Sequence, residues 1–94
     1  MLFSVLGTGS KGNSVYIETA ETALLIDAGF SGKEVERRLA LLDRRLENVD
    51  GILVTHEHHD HINGVGVISR RCKIPVFANE GTYLGAENKL GRLY

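Results

Sequence analysis

All four histidines of the chain lie within six residues, in the string THEHHDH at positions 55–61. Imidazole and carboxylate groups are good ligands for zinc and related divalent ions. His56 and His58 stand two apart on an extended segment, so their side chains point the same way and can chelate one ion. Asp60 and His61 follow at a turn and supply ligands for a second ion about 3.5 to 4 Å away. The string therefore predicts a site for two divalent metal ions.

Two other interpretations of the histidine string explain less. A solvated loop or a tag-like accident does not account for the acidic residues inside the string or for the apolar segment Gly51–Thr55 that leads into it. A structural zinc site favours cysteine ligands and fills all four positions, yet Cys72 is the only thiol in the chain. An open, catalytic metal site therefore fits the residues better.

The strands that must position this string are predicted from hydrophobic periodicity. They cover Met1–Leu6, Val15–Thr19, Thr22–Asp27, Gly51–Thr55 and Pro75–Ala78. A glycine-rich loop, residues 7–14, joins the first two strands, and the second and third form a hairpin through Ala20 and Glu21. The histidine string thus begins at the end of a buried strand, where sheet proteins often place their chemistry on loops.

Helices are predicted between and after these strands. Ser31 and Glu34 form a capping box, in which the serine hydroxyl accepts from a helix amide and the glutamate bonds back to the serine N–H. That helix should run to about Asp43 and bury one apolar face on the sheet. A second helix is expected over Asn63–Arg71, and Asn79 is a candidate cap for a last one. These elements predict a mixed α/β domain.

Composition sets limits on the class of protein. The chain has 94 residues, 43% hydrophobic and 24% charged, which suits one small globular domain and excludes disorder. With 11 basic and 12 acidic residues the net charge is -1, so no global field draws the chain to nucleic acid or an anionic membrane. The single cysteine and the lack of a long apolar run lead us to expect a cytoplasmic protein without a membrane span.

The string at 56–61 resembles the H-x-H-x-D-H signature of the metallo-β-lactamase superfamily. Residues 24–29, LLIDAG, are similar to the strand that carries the family's early aspartate, and residues 51–55, GILVT, to the strand that leads into the motif. The loop GSKGNS at 9–14 and the segment PVFAN at 75–79 resemble its YycJ/WalJ-like branch. The resemblance covers nearly the whole chain.

This resemblance implies an α/β (α+β) fold, namely half of the family's αββα sandwich. The half would be a mixed, mostly antiparallel sheet with helices on one face, so that residues 1–94 form the N-terminal part of a metallo-β-lactamase-like domain. The remaining metal ligands would lie beyond Tyr94. An uncovered apolar sheet face would then favour self-association.

The resemblance also implies a role for each site residue. His56 and His58 would bind the first metal, and Asp60 and His61 the second, with Asp60 also the catalytic residue that holds the attacking water. Asp27 would accept N–H bonds from the histidine loop or from a ligating imidazole and so fix its orientation.

Glu57 and His59 occupy the variable positions of the motif. Neither is expected to be an essential ligand, although His59 is placed where it could touch substrate.

The branch resemblance implies a metal-dependent phosphodiesterase or nuclease, similar to a DNA exonuclease, with nucleic acid as substrate. Two metals suit this reaction because they clamp the attacking and leaving oxygens of an in-line displacement. Zinc is the expected metal, with manganese as the alternative. A thioester or lactone hydrolase similar to glyoxalase II is the alternative function, and a catalytically incomplete fragment is the non-enzyme interpretation.

Residues 7–12, GTGSKG, also satisfy the G-x-G-x-x-G pattern of dinucleotide-binding loops, and Asp27 lies at a distance that suits a ribose-binding acid. Such a loop must open a helix whose N-terminus faces the pyrophosphate. Here the loop is followed by residues 15–19, VYIET, which have the alternation of a strand. The dinucleotide interpretation is therefore weak, and it leaves the histidines unexplained.

Overall fold

The computed structural model describes residues 1–91 and 93, and its five strands form one sheet in chain order. They are β1 (Leu2–Gly7), β2 (Ser14–Glu18), β3 (Ala23–Ile26), β4 (Gly51–Leu53) and β5 (Val76–Phe77). β1, β2 and β3 are antiparallel, with five and four paired positions. β4 and β5 add in parallel, with three and two. The mixed, mostly antiparallel sheet is confirmed.

Two of the four helices in the described part of the chain, the first and the last, begin at their predicted capping residues. The helices are α1 (Gly32–Ala40), α2 (His59–Ile62), α3 (Val65–Cys72) and α4 (Glu80–Leu90), with a 3-10 turn at Leu46–Asn48. Ser31 Oγ accepts from the Glu34 N–H at 3.2 Å at the start of α1. Asn79 Oδ1 accepts from the Thr82 N–H at 2.8 Å at the start of α4. Among the described residues, the helices are too short or too polar for any of them to cross a bilayer.

Two details of the predicted helices are wrong. The carboxylate of Glu34 does not complete the capping box, because it accepts from Arg37 Nε at 3.0 Å and from Arg38 Nε at 2.6 Å. α1 ends at Ala40, before the predicted Asp43, which adopts a left-handed φ of 59° in the following turn. Arg37 and Arg38, one turn further along the helix, bind the Glu34 carboxylate in place of the Ser31 N–H.

The region after the histidines also differs from the prediction. A short helix, α2, stands where a turn was predicted, and the next helix starts at Val65 and not at Asn63. Between the two helices the Gly64 N–H donates to the carbonyl of Ala28 at 2.8 Å. The chain is thereby attached to the segment after β3, which separates α2 from α3.

The arginine pair around Glu34 gives a pH-dependent prediction. Hydrogen bonds from Arg37 and Arg38 lower the pKa of the Glu34 carboxyl from 4.5 to about 2. Because the folded pKa lies below the unfolded one, this stabilisation is present above about pH 4.5 and is lost as the pH falls toward 2. We expect Glu34→Gln to reduce slightly the loss of melting temperature between about pH 5 and pH 2, since both ion pairs are partly exposed to solvent.

Circular dichroism melts at several pH values measure the slope of melting temperature against pH. Glu21→Gln, at an exposed glutamate in the β2–β3 turn, is the matched control. A slope in Glu34→Gln equal to that of the unmodified chain and of the control would contradict the assignment.

The core lies on one side of the sheet. Its inward strand residues pack with the apolar faces of α1, α3 and α4. The buried members include Leu6, Tyr16, Leu25 and Ile52 from the sheet and Val35, Leu39, Val65, Ile68, Ala86 and Leu90 from the helices. The opposite sheet face keeps a strip of exposed side chains: Phe3 at 59%, Val5 at 52%, Leu53 at 38% and Phe77 at 54%. Helices on one face, as the sequence predicts, thus leave an apolar strip on the other.

Candidate metal site

Two parallel strand ends bring the predicted site residues together. β3 ends at Ile26 and β4 at Leu53, and these two residues are paired in register. Asp27 follows β3 directly, and its N–H donates to the Leu53 carbonyl at 2.7 Å. Because the carboxyl ends of parallel strands meet at one edge of the sheet, Asp27 lies beside the histidine string that follows β4.

Asp27 is the buried anchor of the site. Its side chain is 7% exposed, and its Oδ1 accepts from the Thr55 N–H at 2.7 Å. Its Oδ2 accepts from Thr55 Oγ1 at 2.6 Å and lies 2.7 Å from His61 Nδ1. The residue has a φ of 62°, a left-handed conformation that aspartate tolerates better than most side chains. Both carboxylate oxygens are therefore engaged in holding the histidine string.

The contact with Asp27 determines how His61 presents its ring. A carboxylate only accepts hydrogen bonds, so Nδ1 of His61 carries the proton and Nε2 keeps its lone pair. That Nε2 lies 3.7 Å from Oδ2 of Asp60. Two ligands on bonds of about 2.1 Å to one tetrahedral ion stand roughly 3.4 Å apart. The pair formed by His61 and Asp60 thus suits a shared divalent ion.

The ring of His56 lies next to that of His61 and to that of His58. The ring centroids of His56 and His61 are 4.6 Å apart, and those of His56 and His58 are 6.3 Å apart with an interplanar angle of 26°. Nδ1 of His56 lies 2.9 Å from the Thr55 hydroxyl. The rings of His56 and His58 lie side by side, which agrees with the alternation of an extended segment.

The tightest group of donor atoms differs from the pairs predicted by sequence. Donor atoms of Asp27, His56 and His61 lie within 4.8 Å of one another. Asp27 already accepts three hydrogen bonds, so its oxygens have less capacity for an ion than the free nitrogens of the imidazoles. The chemistry of this donor set fits a divalent cation, and Asp27 contacts the set through its hydrogen bond with His61.

The variable positions of the string lie outside this donor group. Glu57 lies against α4, where a Cβ added at Gly85 would be 3.0 Å from its Cγ. His59 opens α2 and is exposed. Neither belongs to the group of close donor atoms found among the described residues.

Two residues that contact the site were not identified from the sequence. Thr55 donates to Asp27 through both its backbone and its hydroxyl. Asn13 Nδ2 donates to Asp60 Oδ2 at 2.9 Å. The position of Thr55 directly before the histidines could have drawn attention to it, whereas nothing in the local sequence pairs Asn13 with Asp60.

The glycine-rich loop has a structural explanation unlike that of a dinucleotide site. It leads into β2 and does not open a helix. A Cβ added at Gly12 would lie 2.5 Å from Cε1 of the Phe30 ring, and one at Gly7 would overlap Cζ of the same ring. The glycines allow the loop to close over Phe30, next to the site.

The chain is similar in sequence to one protein family and to curated members of it. A family model described as the metallo-beta-lactamase superfamily matches residues 7–92. The exodeoxyribonuclease WalJ of Streptococcus pneumoniae serotype 2 (strain D39) is 50% identical over 86 residues, which are 92% of this chain and 32% of that protein. The exodeoxyribonuclease YycJ of Bacillus anthracis is 48% identical over 91 residues, 97% of this chain and 34% of that protein. The chain spans about a third of the length of these curated relatives.

Solved structures agree on the fold. The Rm3 metallo-beta-lactamase has a TM-score of 0.76 and 30% identity, over 87% of this chain and 31% of that one. MEM-A1, a subclass B3 metallo-beta-lactamase from a soil metagenome library, has a TM-score of 0.73 and 28% identity, over 87% and 31%.

Proposed function

Because the chain belongs to the metallo-β-lactamase superfamily, we propose that it carries part of the active site of a metal-dependent nuclease. The observation that supports this most is the pair formed by His61 and Asp60. Nε2 of His61 faces Oδ2 of Asp60 at 3.7 Å, and a buried carboxylate fixes the imidazole. Such support of a ligating histidine is typical of metal sites.

We assign His56 and His58 to one divalent ion and Asp60 and His61 to a second, with Asp27 orienting His61. Residues 1–94 would form the N-terminal part of the catalytic domain. Zinc suits imidazole and carboxylate ligands, and manganese is the alternative to be tested. A metal pair, when bound, supplies a water acidic enough to attack near neutral pH and neutralises charge on phosphoryl oxygens.

The proposed substrate is DNA. Its support is the identity of about half with two relatives named as exodeoxyribonucleases. A thioester or lactone hydrolase would use the same donor set, because fold and metal ligands alone do not select the substrate. The assay therefore has to include DNA and also a thioester or lactone as substrates.

Because the chain spans about a third of the length of its relatives, the test must add the remaining two thirds from one of them. We would measure DNA degradation by a chimera in which this chain replaces the matching segment of the S. pneumoniae exodeoxyribonuclease. We expect activity that requires a divalent metal and falls about 100-fold or more in Asp60→Ala. Asp43→Ala, at an exposed aspartate in the turn after α1, is the matched control.

Metal content is measured on the same proteins and on the chain alone. His58→Ala combined with Asp60→Ala should remove bound zinc, whereas His59→Ala should retain it. Metal-independent DNA cleavage, or cleavage of a thioester or lactone in place of DNA, would contradict the nuclease proposal.

We also propose that the chain on its own self-associates through its apolar sheet strip, defined by Phe3, Val5, Leu53 and Phe77. Exposed apolar strips of this kind favour association. A solution mass of a dimer or larger, measured in the metal-binding preparations, supports this; a monomeric mass at high concentration refutes it.

For the compartment we propose the cytoplasm. The only cysteine, Cys72, is free, and a chain without disulfides suits a reducing environment.

A further inference from the structure

Asn13 joins the glycine-rich loop to the histidine string across 47 positions of sequence. Its backbone N–H donates to the Asp60 carbonyl at 2.7 Å. Its side-chain Nδ2 donates to Asp60 Oδ2 at 2.9 Å and lies 3.1 Å from the Asp60 carbonyl. One residue of the loop thus contacts both the backbone and the carboxylate of a proposed metal ligand.

The direction of the Asn13 amide is fixed by Gly9. Asn13 Oδ1 accepts from the Gly9 N–H at 3.0 Å, and Nδ2 lies 2.8 Å from the Gly9 carbonyl. A flipped amide would face its oxygen toward Gly9 O, Asp60 O and Asp60 Oδ2, none of which can donate. The amide therefore presents its N–H groups to Asp60.

This contact restricts the Asp60 side chain. That side chain is 31% exposed and would have room to rotate without the contact. A carboxylate offers about four lone-pair positions, and Asn13 uses one of them on Oδ2. The same oxygen lies 3.7 Å from Nε2 of His61. The hydrogen bond thus selects a rotamer that directs the carboxylate toward the imidazole and leaves capacity for an ion.

We propose that Asn13 is a positioning residue, which holds the Asp60 carboxylate in the orientation needed to bind metal. The inference rests on the proposed function. It gives the glycine-rich loop a role: the closely packed glycines place Asn13 against the site. Replacing a residue that orients a metal ligand commonly lowers metal affinity by about 10- to 100-fold.

The backbone geometry allows the side chain to be tested separately. The Asn13 N–H bond to Asp60 and the bond from the Gly29 N–H to the Asn13 carbonyl, at 2.9 Å, do not involve the side chain. They persist in any variant that keeps the loop conformation. A change at Asn13 can therefore remove the contact with the carboxylate and leave the loop attached.

Two variants separate loop structure from positioning. Asn13→Asp keeps the shape and the acceptor for the Gly9 N–H, but it replaces the donor facing Asp60 by a negatively charged oxygen. Asn13→Ala removes both. Asn48→Ala, at an exposed asparagine in the 3-10 turn, makes the same deletion before β4, whereas the histidine string follows the other end of that strand.

The test is zinc titration in competition with a chromophoric chelator, on this chain and on the chimera, together with melting of the metal-free proteins. We expect Asn13→Asp and Asn13→Ala to lower zinc affinity about tenfold or more. The metal-free melting temperature should fall in Asn13→Asp, whose carboxylate faces three acceptors, and a cooperative melt of each variant shows that the fold is retained. Asn48→Ala should bind zinc like the parent.

The outcomes separate this inference from the function on which it rests. Zinc affinity in both Asn13 variants equal to that of the parent would overturn the role of Asn13 and leave the metal site intact. Loss of affinity in Asn13→Ala alone, with Asn13→Asp unaffected, would also overturn it, since only the loop turn would then matter. Failure of both unmutated proteins to bind either zinc or manganese would refute the proposed function itself.

Discussion

Replacing Gly29 by alanine is expected to destabilise the chain by about 3 kcal/mol or more and to abolish metal binding. A Cβ at this position would overlap the backbone carbonyl of Asp60 and lie 2.6 Å from the Asn13 nitrogen. Backbone atoms cannot move aside as a flexible side chain can, so the histidine string must shift away from the β3–α1 connection. Chemical denaturation and zinc titration measure the two effects.

Gly81→Ala is the control for this substitution. Gly81 lies in α4, where an added Cβ would lie 3.6 Å from Asn79 Oδ1, and that is its only neighbour within 4 Å among the described residues apart from the adjacent residues and nearby helix backbone. Alanine there should be neutral or stabilising, because it is the better helix former. Gly29→Ala with the stability of its parent would show that the string does not approach the β3–α1 connection as closely as described.

The second large effect is expected from Asp27→Asn. The Thr55 N–H requires an acceptor, so the asparagine oxygen faces it and the amide N–H groups face His61. His61 Nδ1 must then accept, which moves the ring proton to Nε2 and removes the lone pair intended for metal. We expect zinc affinity to fall by about 100-fold with the fold retained.

Nitrogen NMR shifts of the His61 ring report the tautomer directly, without metal. Asp43→Asn is a matched control, because Asp43 also has a left-handed φ, at 59°, and is exposed. If His61 keeps its proton on Nδ1 in Asp27→Asn, or if zinc affinity is unchanged, the orienting role of Asp27 is refuted.

Residue types and spacing were sufficient to predict the sheet, the cap at Ser31 and the location of the histidine string. The hydrophobic periodicities of strands and helices are patterns of neighbouring residues, so they can be recognised along the chain. A cluster of four histidines has few structural roles. Family resemblance added Asp27, whose contacts with Thr55 and His61 are present. The ligand roles themselves stay predictions until metal is measured.

The sequence could not predict which of several possible partners a side chain binds, or which contacts the path of an irregular loop creates. Glu34 had two possible partners at suitable spacing, and the arginines, not the Ser31 amide, bind its carboxylate. Asn13 meets Asp60 because an irregular loop folds over Phe30, and such a path has no repeating pattern. Local rules therefore gave the elements and the ligand types but not every group that orients them.

The order of strands in the sheet has a consequence for biosynthesis. Because spatial order follows chain order from β1 to β5, each strand emerging from the ribosome meets an edge that is already made. The hairpins of β1, β2 and β3 need only short loops, and such local pairings form fast. Asp27 leaves the ribosome before the histidines, and the string would meet its acceptor once β4 has joined the sheet and accepted the bond from the Asp27 N–H.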